Sequence, residues 1–211
     1  RAAIVREESE KKAADLGHRQ TINFNIGKYN TAVKAGKQQF ADLPVARERA
    51  KNIKWRAIEH LDNHLEEFEQ NFTRRGGKVI WAETAEQVQQ EILAICKAKQ
   101  CQSIVKSKSM ATEEVHLNAF MESNGIECVE TDLGEYIQQL DGEPPYHIVT
   151  PAMHKSKEDV ARLFAEKLGT DPGLTPEQLT LVAREKLRHK YLEAEIGITG
   201  IPQALSDITW A

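Results

Sequence analysis

The chain has 211 residues, 40% of them hydrophobic and 28% charged, with a formal net charge of −4. That size and balance fit one α/β domain with an extra helical arm and exclude a disordered or fibrous chain. The acidic balance also excludes a nucleic-acid binder driven by bulk electrostatics, so any cationic site must be local.

Residues 1–43 are polar with scattered apolar positions, and Gly17, Gly27 and Gly36 interrupt any long helix. They read as an N-terminal arm of short helices suited to packing on a partner. From Pro44 onward, Ile53, Ala57, Leu61, Leu65, Phe68 and Phe72 recur every three or four positions. This spacing predicts one long amphipathic helix ending at Gly76-Gly77. Lys78 to Ala82 reads as a strand, and Thr84-x-x-Gln87 as the capping box of a helix running to about Lys99. A strand at Ser103–Lys106 comes next, then a helix capped by Thr112 and closed by Gly125. Glu127–Glu130 is a third strand, Leu133–Leu140 a short helix, and Tyr146–Val149 a fourth strand. Ser156-x-x-Asp159 and Thr175-Pro176-x-Gln178 open two further helices. Residues 44–211 therefore read as one α/β domain whose parallel sheet is covered on both faces.

No apolar run approaches the roughly 18 residues of a membrane span, and the charged first residues do not resemble a signal peptide. A cytoplasmic location is the expectation. Cys96, Cys101 and Cys128 form an odd set without a Cys-x-x-Cys pair, which predicts ordinary reduced thiols rather than disulfides or a metal site.

Lys106, Ser107, Lys108 and Ser109 close a predicted buried strand just before the helix at Thr112. Ammonium groups, hydroxyls and helix N–H groups at the carboxyl end of a parallel strand can hold a carboxylate or phosphate. The plainer alternative is that the serines satisfy the turn and one lysine faces water. Glu130, Asp132 and Glu135 follow the next strand; they can orient the lysines, move protons or cap the helix, and Asp132 reads as the cap. Pro144-Pro145 stiffens the approach to His147, a third candidate for proton chemistry. The expected catalytic set is Glu130, Glu135 and His147, and the expected anion site is Lys106 to Ser109 with Thr112. On this reading, replacing Lys106 and Lys108 by Ala weakens anion binding and leaves the fold intact. His154-Lys155, ahead of a helix, can either reach the same rim or form only a loop pair. His60 and His64 sit four apart, a metal-ligand spacing, but no third ligand is near in sequence and a solvated helix face is the expectation.

The motifs Val-Lys-Ser-Lys-Ser-Met-x-Thr-Glu-Glu, Glu-Thr-Asp-Leu-Gly-Glu-Tyr-Ile and Gly-Glu-Pro-Pro-x-His-Ile occur here in that order. With Ile58 to Asp62 and Glu195 to Gly200, they resemble the LUD domain of the lactate-utilisation protein B family, over roughly Trp55 to Gly200. The resemblance implies a fold like the sugar-phosphate isomerase and CoA-transferase superfamily (NagB/RpiA/CoA transferase-like), whose members bind phosphate or carboxylate groups at strand-end loops. It also implies an iron–sulfur, electron-transferring subunit of a bacterial system that oxidises L-lactate to pyruvate. In that family, cysteine-rich motifs beyond the LUD domain hold [4Fe–4S] clusters. This chain carries no such motif. The family's domain also continues differently after the Gly-Ile-Thr-Gly motif, so the expectation is that residues are missing between Gly200 and Ile201.

Three readings follow. The first is the LUD-domain component of a lactate-oxidising oxidoreductase complex, with the other subunits as partners and clusters carried elsewhere. The second is a stand-alone enzyme or binding module for a small phosphorylated or carboxylated metabolite. The third is a scaffold whose arm and long helix dock other subunits.

Overall fold

The computed structural model describes residues 2–146 and 150–200. The chain divides into two compact units: Arg1–Gly36 with Ser103–Lys108 and Cys128–Thr199, and Lys37–Gln102 with Ser109–Glu127 and Gly200–Ala211. The predicted strand at Tyr146–Val149, His147 and the Gly200–Ile201 junction fall largely outside the described residues.

The first unit holds a three-stranded sheet, ordered β2-β1-β3, of β1 (Ser103–Lys106), β2 (Glu127–Glu130, with Glu127 itself in the second unit) and β3 (Ile196–Ile198). β1 and β3 run parallel, with Ile104 opposite Ile196 and Lys106 opposite Ile198. β2 runs parallel to β1 as well, since Glu127 N–H donates to Gln102 O and Thr131 N–H to Lys106 O as both chains advance together. β1 and β2 match the predicted bounds, while β3 was missed: three residues with Gly197 at the centre carry too little β signal.

Helices α8 (Leu133–Asp141), α9 (Lys157–Leu168) and α10 (Pro176–Glu193) close over this sheet. Val105, Val129, Tyr136, Ile137, Phe164, Leu179 and Leu187 form their common core, with Tyr136 edge-on to Phe164 at 6.4 Å between ring centroids. Their starts are set as predicted. Asp132 accepts from Gly134 and Glu135 N–H groups, and Ser156 and Thr175 head complete capping boxes.

The N-terminal arm is two helices, α1 (Ala2–Ala14) and α2 (Leu16–Lys37), rather than several short ones. α2 passes straight through Gly17, Gly27 and Gly36, at about 1 kcal/mol each relative to Ala. It rests on its own unit: Asn25 Nδ2 donates to Met153 O at 2.7 Å, and the His18 ring meets Tyr146 edge-on.

In the second unit, the predicted long helix is two, α3 (Leu43–Glu59) and α4 (Leu61–Arg74), separated at His60 (φ −122°, ψ 30°). No proline or glycine marks that break. Residues 78–82, expected as a strand, form none. A β-rich run needs a neighbouring strand to pair with, and here Trp81 instead donates its indole N–H to Glu69 of α4 at 3.2 Å. α5 (Ala85–Ala98) opens on the predicted Thr84–Gln87 capping box. The helix predicted from Thr112 splits into α6 (Met110–Glu114) and α7 (Leu117–Ser123) around a left-handed His116. Its cap is Ser109, not Thr112: Thr112 lies one turn inside and donates its hydroxyl to Ser109 O at 2.9 Å. Among the described residues no helix is long and apolar enough to cross a membrane.

Candidate functional site

Side chains alternate faces along a strand, so Val105 and Val129 face the helical core while Lys106 and Glu130 point to the opposite side. Adjacent parallel strands then bring the last residues of β1 and β2 side by side. Lys106 Nζ lies 2.6 Å from Glu130 Oε1, with the two side chains 1% and 4% exposed. A desolvated ion pair at the end of a buried strand is a placed charge, not a solvated one.

Glu135 joins it from the first turn of α8 and is also buried. Burial first, then the negative charges of Glu130 and Asp132 and a hydrogen bond with Glu130, push its carboxyl up to about 7; the Lys108 ammonium pulls the other way. Glu135 Oε2 is buried with no hydrogen-bond partner among the described residues. A carboxyl poised near neutrality beside a lysine and a second carboxylate is suited to holding or passing one proton.

The first unit thus brings together Lys106, Lys108, Glu130 and Glu135 of the expected set. Ser107 is half-buried there and gives its N–H to Ile198 O at 2.9 Å, joining the loop to β3. Ser109 and Thr112 belong to the second unit, where both are committed to the start of α6. His147 lies outside the described residues. His154 and Lys155 turn elsewhere: His154 Nε2 lies 3.1 Å from Glu143 Oε2, and Lys155 pairs with Asp141 and Glu143. Burial lowers the His154 pKa despite Glu143, and the two acids raise that of Lys155 against its burial.

One residue that sequence reasoning passed over ties the site down. Thr131 donates both its N–H (2.9 Å) and its hydroxyl (2.7 Å) to Lys106 O, and Tyr191 OH in turn donates to Thr131 Oγ1 at 2.9 Å. These bonds hold the strand-end loop to α10.

The model of the LUD domain matches residues 65–208, more than half of the chain. The chain belongs to the LUD domain family. Its relatives include lactate utilization protein B of Oceanobacillus iheyensis, 38% identical over 96% of this chain and 44% of that protein. The Bacillus licheniformis protein of the same name is 48% identical over 76% of this chain and 34% of its own length. That of Shouchella clausii is 39% identical over 94% and 42%. The LUD chain therefore spans less than half the length of these relatives. No solved structure matches it.

The LUD chain's own residues do not fit a [4Fe–4S] cluster. Four thiolates are needed and the sequence has three cysteines, all buried; burial, with Cys101 adjacent, pushes the Cys96 thiol up to about 11.

Proposed function

We propose that this LUD domain is the metabolite-holding part of a lactate utilisation protein. In this reading the strand-end loop carrying Lys106, Ser107 and Lys108 receives the carboxylate of a small α-hydroxy or α-keto acid, with L-lactate and pyruvate as the pair, and Glu135 manages a proton beside it. The observation that carries the proposal is the buried Lys106–Glu130 pair abutting a carboxyl poised near neutrality, in a chain whose relatives are named for lactate utilisation.

The cation assigned to the ligand is Lys108, half-buried on the strand-end loop and close enough to Glu135 to lower its pKa. A fold of the sugar-phosphate isomerase and CoA-transferase type, which places ligand groups at strand-end loops, accords with this reading.

The rest of the proposed machinery lies outside this domain: clusters that accept electrons from lactate oxidation in the remaining length of the protein, and other subunits of a cytoplasmic complex. Trp55 and Ile58 on α3 and Phe68 and Phe72 on α4 are exposed apolar side chains that offer such subunits contacts. The test is calorimetric titration of the intact protein with pyruvate and with L-lactate, repeated for Lys108→Ala. Loss of a charge-assisted contact should weaken binding about tenfold or more. Equal binding by the variant, or none by the wild type, rejects the assignment.

A further inference from the structure

The face of α10 turned toward Thr131 carries Arg184, Arg188 and Tyr191, one turn apart along the helix. Together with Leu187 and Leu192 they line a cleft of about 540 Å³. That volume is ample for a small organic ligand. It is separate from the strand-end loop: of the residues discussed at that site, only Thr131 also lines it.

Two guanidinium groups four residues apart on one helix face repel each other, an arrangement that an anion between them relieves. Neither guanidinium is engaged by an acid among the described residues. Glu185 shares the cleft but leaves its charge positive, against an overall charge of −4. Cations near a helix C-terminus suit the dipole, but that effect does not require them to converge on a concavity. The remaining walls are apolar: the Leu187 and Leu192 side chains and the Tyr191 ring, whose hydroxyl is fixed by its 2.9 Å bond to Thr131 Oγ1. Planar guanidiniums are suited to bidentate recognition of phosphate oxygens, and an aliphatic and aromatic wall to an apolar body.

We propose that this cleft binds a phosphate monoester with an apolar or aromatic body, the phosphate held between Arg184 and Arg188 and the body laid against Leu192 and Tyr191. The site is distinct from the one assigned to the carboxylate metabolite and stands or falls independently of it.

Phenyl phosphate and inorganic phosphate, titrated into the intact protein by calorimetry, test this. Phenyl phosphate should bind saturably and more tightly than inorganic phosphate. The Arg184→Ala/Arg188→Ala double variant should lose about tenfold or more of that affinity with an unchanged circular dichroism spectrum. Lys108→Ala should bind phenyl phosphate as the wild type does. Absence of saturable binding, equal binding by the double arginine variant, or loss in Lys108→Ala instead would each overturn the proposal. Equal affinity for the two probes would overturn the assignment of the apolar wall.

Discussion

Replacing Lys106 by Ala is expected to lower the unfolding free energy by about 3–5 kcal/mol, read from urea denaturation, because it strips a buried carboxylate of a cation at 2.6 Å. This differs from the expectation formed on sequence alone, in which both lysines could be truncated without harm to the fold. The difference is burial. A lysine that is 1% exposed cannot be removed without leaving Glu130 charged in a dry environment. Lys108→Ala, at a half-buried loop position, should cost far less. A double replacement, Lys106→Met with Glu130→Leu, removes both charges and fills the space, and should recover most of the lost stability. If Lys106→Ala unfolds within about 1 kcal/mol of the wild type, the pair is solvated and its structural role is refuted.

The second large effect concerns Glu135 and has a definite sign. Its folded-state pKa of about 7 stands above the ordinary 4.5, so the folded chain keeps a proton that the unfolded chain gives up between those values. Its contribution therefore favours the folded state most below about 4.5, declines as pH rises through about 7, and is constant above that, a change on the order of 3 kcal/mol. Glu135→Gln carries no titrating proton and should escape that decline. It is expected to be more stable than the wild type at about pH 8 and to lose the advantage toward about pH 4. A stability difference between variant and wild type that does not change with pH would show that Glu135 titrates as an ordinary carboxyl. If the carboxyl also serves the proposed chemistry, the stabilised variant should be the less active one, the usual cost of a strained site.

Local chemistry carried most of what could be read beforehand. Thr84, Ser156 and Thr175 each combine a capping hydroxyl with an acceptor three residues on, and each starts a helix at the predicted position. β1 and β2 were legible because a short apolar run between capped helices has few other ways to fold. What escaped depends on partners distant in sequence. Residues 78–82 have strand composition but no strand beside them, whereas Ile196–Ile198 has almost no composition signal and becomes β3 because β1 offers it a parallel edge. Glycine penalties in α2 were overridden by contacts to Tyr146 and Met153, more than a hundred residues away.

The site shows the same division. Its residue types and their position at strand ends were visible, but the Lys106–Glu130 pairing needs the register of two strands 24 residues apart. Thr131 stands between Glu130 and Asp132 in a charged motif, yet its part depends on Lys106 O and on Tyr191, 60 residues away. The Arg184, Arg188 and Tyr191 spacing on one helix face was the available signal for the cleft.

Glu135 is expected to hold a proton near neutrality where a small anion arrives. The carboxyl ¹³C resonance of Glu135, followed from about pH 4 to pH 9 with and without pyruvate, reads that directly. A midpoint near 7 that moves higher when the anion binds is the predicted result. A midpoint at the ordinary 4.5, unmoved by pyruvate, would contradict it.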